Sequence, residues 1–362
     1  MNYLKKTDEF NFSEQLRSAS LKINMGQLLE LCAHLYRDAE FVSMANSMVM
    51  SGAENKPSTI LHKSLTYRQF NQLVNRMAHG LMSRGIQAND YVGIMMENSL
   101  EFLVFSYALK KIGAIEVSIN NTFRGVSLSR MINLTGLKVL LISDSYLAAL
   151  SEIKGDLQNL ESLIVEGDVQ VALELGLEYD LQPLQSVISD VEDNCTHTGS
   201  DQDTAVILFT SGTTGVSKGC EIPHRSSIRA AQSMLEAFAI TENDCVYSPY
   251  PLFHCGAAQY DVLAAMMAGA RVVLRDGFSL RHFWSDVTHH DVSWFMCLGS
   301  VQQLLWAREP DPLEKSHKMR FIWGTPLPVD ADAFEHRFNV KVVRGGGYGS
   351  TDAGSVALPL FD

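Results

Sequence analysis

The sequence predicts an α/β fold made of two αβαβα-type subdomains with mostly parallel sheets. Three observations carry this. Short apolar runs alternate with amphipathic stretches from residue 65 to about 166. A glycine-rich loop directly follows the apolar run Ala205-Val206-Ile207-Leu208-Phe209. The alternation then resumes after the loop. Strands separated by helical patterns call for crossover connections and a parallel sheet.

Phe70, Leu73, Val74, Met77 and Leu81 recur at spacings of three and four, one face of a helix starting near Leu65. Gly85 is a natural stop. Residues 91–96 (Tyr-Val-Gly-Ile-Met-Met) read as a buried strand. Asn98 or Ser99 can cap a helix that runs through Lys110 and ends at Gly113. A strand follows at 115–119, giving a right-handed strand–helix–strand unit. Then come a helix at 127–133, a strand at 138–142, a helix around 146–153 and a strand at 162–166. Residues 170–203 are acidic and weakly apolar, and are expected to be irregular. After Pro223 a long helix covers about 226–239. Further strands are expected at 246–248, 270–274, 292–297, 321–323 and 340–343. The segment 280–294, with Phe283, Trp284 and Trp294, reads as core. The implied units are about 65–219 and 220–362, with the first 64 or so residues packing on one of them.

Of the 362 residues, 46% are hydrophobic and 19% charged, so the chain can bury a sizeable core. The formal net charge is −12, a poor match to a nucleic-acid backbone. The cysteines Cys32, Cys195, Cys220, Cys245, Cys255 and Cys297 form no CxxC pair. Their usage suits a reducing compartment. The N-terminus lacks the apolar core of a secretory signal, and no run is long enough to span a membrane. A cytoplasmic location is the expectation, and the oligomeric state stays open, with a homodimer one option.

The strongest chemical signal is Thr210-Ser211-Gly212-Thr213-Thr214-Gly215-Val216-Ser217-Lys218-Gly219. Glycines let backbone N–H groups approach an anion. The hydroxyls of Thr210, Ser211, Thr213 and Thr214 donate further bonds, and Lys218 adds a positive charge. A Walker loop requires GxxxxGK[ST], which this is not. A flexible surface turn is the bland alternative; the preceding strand and the lysine argue against it. Downstream lie Pro251-Leu252-Phe253-His254, Trp323-Gly324-Thr325-Pro326-Leu327-Pro328 and Gly345-Gly346-Gly347-Tyr348-Gly349-Ser350-Thr351-Asp352. Taken singly, His254 reads as a core histidine and the last stretch as a glycine turn closed by an Asx motif.

Together and in this order, the four stretches resemble the motifs of the adenylate-forming (AMP-binding) superfamily. That superfamily includes acyl-CoA synthetases, firefly-type luciferases and nonribosomal adenylation domains. The resemblance runs from about residue 65 to the C-terminus, and the chain resembles the N-terminal domain of these enzymes. It departs at Ser217, where the family carries a loop-stiffening proline, at Thr325, where a small residue is usual, and at Asp352, where glutamate is usual.

The resemblance implies an AMP-forming acyl-CoA ligase. A carboxylate and ATP give an acyl-adenylate and pyrophosphate, and coenzyme A then takes the acyl group. It implies catalytic roles for Lys218, Thr351 and His254. It implies nucleotide contacts from Thr210, Ser211, Gly212, Thr213, Thr214, Gly215, Lys218, Gly324, Thr325, Pro326, Gly347, Tyr348, Gly349, Ser350 and Thr351. Asp352 would hold Mg²⁺ as a hard oxygen ligand, one methylene shorter than glutamate. The nearest sub-type is the fatty acyl or carnitine/crotonobetaine-like group. The C-terminal domain that supplies a lysine for adenylation in relatives is not represented, since no lysine follows Lys341. Two other readings stand beside this one: a non-catalytic nucleotide-binding module, and a stand-alone adenylation domain serving a carrier protein. His289-His290, or Cys245 with His254 and Cys255, match no zinc spacing, and no GxSxG elbow marks a hydrolase.

Overall fold

Helices form where the sequence supplies both an apolar face and a cap. The computed structural model describes residues 22–45, 64–196, 199–210, 218–345, 347–351 and 354–361. Met25–Tyr36 starts from Asn24, whose side chain accepts from the Gln27 N–H while Gln27 reaches back, a full capping box. Tyr67–Ser83 repeats the device with Thr66 and Gln69. Leu100–Ile112 is capped by the Ser99 hydroxyl, which accepts from the Phe102 N–H at 3.1 Å. It stops at Gly113, which sits in the left-handed region with φ 78°.

The strands are β1 (Glu40–Met44), β2 (Ser64–Thr66), β3 (Tyr91–Met95), β4 (Ile115–Ser118), β5 (Val139–Ser143), β6 (Ser162–Glu166), β7 (Asp180–Pro183), β8 (Thr204–Thr210), β9 (Lys218–Pro223), β10 (Cys245–Ser248), β11 (Arg271–Leu274), β12 (Trp294–Met296), β13 (Phe321–Trp323) and β14 (Lys341–Val342). A hairpin of β15 (Tyr348–Ser350) and β16 (Gly354–Ala357) follows. Among the described residues one sheet runs β7-β6-β5-β3-β4-β8-β9, parallel except for the antiparallel β8–β9 pair. The other runs β14-β13-β12-β10-β11-β1-β2, parallel except for β1–β2. Both are mostly parallel, as the strand–helix alternation predicts.

The largest apolar cluster joins residues of both sheets. Val92 and Ile94 of β3 share it with Val246 of β10 and Val272 of β11, together with helices Met25–Tyr36, Tyr67–Ser83, Leu100–Ile112 and His224–Phe238. A second cluster covers the outer face of the β10–β14 sheet with Phe283, Trp284, Phe334 and Phe338. A third covers the outer face of the β3–β7 sheet with Leu128, Met131, Leu147 and Leu150. Helices therefore lie outside each sheet and between the two. Every residue of Leu100–Ile112 is buried, which a middle-layer position requires.

One expectation needs correction. The stretch 170–203 is not irregular throughout. It forms the short helix Gln170–Glu174, edge strand β7 and the turn of helix Leu184–Val187. Strand β7 is four residues long, half-exposed and ends in Pro183, so its order comes from pairing with β6 and not from apolar pattern. The residues leading to Pro223 carry no assigned element from the sequence. They form β9, paired antiparallel with β8. None of the described helices is long and apolar enough to cross a membrane.

Candidate active site

Each motif follows the C-terminal end of a strand, or bridges such an end to the next element. In open parallel sheets that edge is where ligands bind. Strand β8 ends at Thr210 and β9 begins at Lys218, and these two residues pair directly across the ladder. The pairing pins both ends of the glycine-rich loop, and Lys218 is exposed there. Ser211, Gly212, Thr213, Thr214 and Gly215 lie outside the described residues, as does Asp352.

Strand β10 leads into the loop bearing Pro251 and His254. The His254 Nδ1 accepts from the Gly256 N–H at 3.0 Å. That bond places the ring proton on Nε2 when the imidazole is neutral. Desolvation lowers the His254 pKa, which favours the neutral ring. The neighbouring Cys255 Sγ lies 3.8 Å from Nδ1. The structure brings Thr351 to one cavity with Gln259, on the helical segment that follows His254, although the two are far apart in sequence. After Cys255 the chain forms a π-helical turn, Gly256–Leu263, that continues into helix Ala264–Ala268. Such turns cluster at functional sites.

Strand β13 leads into Gly324, Thr325 and Pro326. A Cβ on Gly324 would lie 2.3 Å from the Cys297 carbonyl oxygen, so only glycine fits. Gln302 holds this segment by donating to the carbonyls of Cys297 at 2.7 Å and Pro326 at 3.1 Å. Gly347, Tyr348, Gly349, Ser350 and Thr351 lead into and along β15, and Tyr348 is 71% exposed. Such a ring is free to face a flat ligand.

Sequence reasoning missed the residue that holds the His254 loop. Asn98 does not cap the next helix; Ser99 does. Asn98 instead donates to the carbonyls of Tyr250 at 2.7 Å and Arg275 at 2.9 Å, and accepts from the Leu252 N–H at 2.8 Å. Three buried backbone groups of one sheet's loops are satisfied by one amide from the other sheet. A period-based reading cannot see a partner 152 residues away.

Beside Thr351 and the π-helical turn lies a polar cavity of about 230 Å³, lined in part by Gln259, Ser226, Arg229 and Glu221. Among the described residues no three His, Cys, Asp or Glu side chains converge to hold a metal ion.

A family model described as AMP-binding enzyme matches residues 49–361. The chain is 30% identical over 306 residues to a medium/long-chain-fatty-acid–CoA ligase, FadD6, of Mycobacterium tuberculosis, covering 83% of this chain and 49% of that protein. It is 28% identical over 324 residues to the crotonobetaine/carnitine–CoA ligase of Proteus mirabilis, covering 87% of this chain and 60% of that protein. The chain therefore spans about half the length of the fatty-acid ligase it matches. Its fold is similar to the N-terminal domain of FACL13 from Mycobacterium tuberculosis, solved with an inhibitor. That match has TM-score 0.74 and 23% identity, and covers 91% of this chain and 76% of that one. It is also similar to the anthranilate CoA ligase AuaEII in complex with anthranoyl-AMP, with TM-score 0.76 and 19% identity, covering 92% of this chain and 62% of that one.

Proposed function

The chain belongs to the AMP-binding enzyme family, and from that premise we propose that it activates a carboxylic acid with ATP and passes the acyl group to coenzyme A. The observation that supports this best is the gathering of the motifs after the C-terminal ends of strands β8, β10 and β13, with Thr351 and Gln259 lining one cavity there. The two relatives named above, at 28–30% identity, are CoA ligases, which agrees.

The residues present fit a nucleotide. Thr210 and Lys218 are paired across the ladder at the mouth of the glycine-rich loop, so both side chains leave the same face of the sheet, a hydroxyl and an ammonium suited to phosphate oxygens. Gly324 lets its segment pack directly on the Cys297 carbonyl, where a Cβ could not sit. ATP, when bound, supplies the adenylyl group and a pyrophosphate leaving group, and Mg²⁺ at Asp352 would offset part of their charge. Lys218 then holds a phosphate oxygen and stabilises charge that grows on the leaving group. Ser211, Gly212, Thr213, Thr214 and Gly215 are proposed to cradle the same phosphates. Gly324, Thr325, Pro326, Gly347, Tyr348, Gly349 and Ser350 are proposed to border the nucleoside. The Nε2–H of His254 donates to the acid, and the Thr351 hydroxyl donates at the α-phosphate. The chain is read as one AMP-binding unit with two sheets, one of them completed by β1 and β2 from the N-terminal segment, acting in the cytoplasm.

The test is carboxylate-dependent pyrophosphate release from Mg-ATP by the 362-residue chain, over short, long, carnitine-like and aromatic acids. Release with one class supports the ligase and names the acid. Nucleotide binding without release from any acid leaves a binding module and removes the catalytic reading of this chain.

A further inference from the structure

A groove opens between helix Gly299–Ala307 and the segment that follows Gly324. Gly299 brings the two together at one end. A Cβ there would lie 2.7 Å from the Pro326 Cδ, so the helix starts against the proline ring. Further along, the Trp306 indole and the Phe334 ring of helix Ala331–Phe338 have centroids 6.2 Å apart, and both line the groove. Leu327, Pro328 and Val329 complete the apolar lining. The volume is about 320 Å³, within the range of small-molecule sites. The apolar wall is open to solvent, since Trp306 is 46% exposed.

The polar atoms of the groove are few, and they mostly accept. Gln302 is buried and spends its Nε2 on the carbonyls of Cys297 at 2.7 Å and Pro326 at 3.1 Å. Those two bonds fix which way the amide points. Its Oε1 has no partner among the described residues and is not sealed from solvent. Among the described residues Asp330 is the one charged side chain that lines the groove. Its Oδ1 caps helix Ala331–Phe338 by accepting from the Ala333 N–H at 2.8 Å, and no cation among the described residues pairs with it. Gln303 is exposed and can donate or accept. Arg337 lies 5.4 Å from the Trp306 ring but does not line the groove. Its guanidinium donates to the carbonyls of Trp306 and Arg308, each at 2.6 Å. An anion here would meet Asp330 with no cation to offset it. A cation with N–H donors suits both the fixed amide oxygen and the carboxylate.

We propose that this groove is a second ligand site, bordering the Gly324–Pro326 segment from the side of helix Gly299–Ala307, and that it takes an apolar molecule carrying a protonated amine. The apolar body lies against Trp306, Leu327 and Phe334, and the ammonium donates to Gln302 Oε1 and Asp330. The site stands apart from the acid-activating reading and does not depend on it.

The test titrates the 362-residue chain calorimetrically with tryptamine, tryptophol, N,N,N-trimethyltryptamine and ethylamine. Tryptamine and tryptophol share a ring system and differ in ammonium against hydroxyl. Tryptamine is expected to bind at least about fivefold tighter than tryptophol. The trimethyl derivative keeps the charge but loses the N–H donors of the head group, and should bind several-fold weaker than tryptamine. Ethylamine lacks the apolar body and should bind at least about tenfold weaker than tryptamine. No binding of tryptamine, or equal binding of tryptophol or ethylamine, overturns the proposal. Equal binding of the trimethyl derivative overturns the role of Gln302. Asp330→Asn keeps a capping side chain and removes the charge, so tryptamine should fall to the tryptophol level. An unchanged preference in that variant overturns the role of Asp330. Trp306→Ala should weaken tryptamine and tryptophol alike, and unchanged binding places the ligand elsewhere and overturns the site. Displacement of tryptamine by AMP would make the groove part of the nucleoside pocket, and also overturns it as a second site.

Discussion

Asn98 shows how much one buried amide can organise. It closes three hydrogen bonds on the loops that carry Tyr250, Leu252 and Arg275. Asn98→Ala leaves an N–H and two carbonyls unpaired in the interior, so we expect a loss of about 2–4 kcal/mol by urea unfolding. Acid activation should fall with it, because the His254 loop loses its anchor. Asp261 makes a different prediction. Burial pushes its carboxyl well above the usual range, only partly opposed by the Ser248 hydroxyl at 2.7 Å. The folded state then keeps a proton that the unfolded chain releases. Stability is fully present below the unfolded pKa near 4 and is lost as pH rises toward the folded value. Asp261→Asn should flatten this decline in a melting-temperature series from pH 5 to 9; an unchanged slope would assign the decline elsewhere. For His254 the lowered pKa means that any activity lost on its protonation falls off below pH 6.5, not above it.

Helices here depend on close backbone approach as much as on apolar faces. Gly80, in helix Tyr67–Ser83, faces the Val187 carbonyl so closely that a Cβ would sit 1.5 Å from its oxygen. Gly80→Ala must push the helix off the segment 184–189, and a cost of about 1–3 kcal/mol is expected in thermal unfolding. Ser99→Ala, which removes an N-cap but no packing, should cost about 1 kcal/mol. Both helices were legible from spacing, cap and stop residues. The contact at Gly80 was not, because its partner lies beyond residue 180 on a stretch with little apolar pattern.

At the scale of the molecule, burial of charge in the middle layer carries the largest penalty if broken. Lys111 is fully buried and bonds Asn75 at 2.6 Å and Glu30 at 2.8 Å, joining three helices. Lys111→Ala strands Glu30 and is expected to cost about 3–5 kcal/mol; Lys111→Met, which fills the space, should cost less. If the two variants denature alike, packing and not charge pairing sets the cost. Sequence alone determined the α/β class, most strand positions and the four motifs, because these rest on local period, caps and glycine spacing. It could not place Lys110 and Lys111 inside, since a lysine pair near a helix end reads as a solvated terminus. Nor could it find β7 or β9, whose order comes from pairing, or foresee Asn98 as the side chain that holds the loops of Tyr250, Leu252 and Arg275. Those were decided by tertiary structure, for a physical reason: a second sheet folds over the middle helices, removes water from both of their faces, and makes each polar group there find a partner far away in the chain.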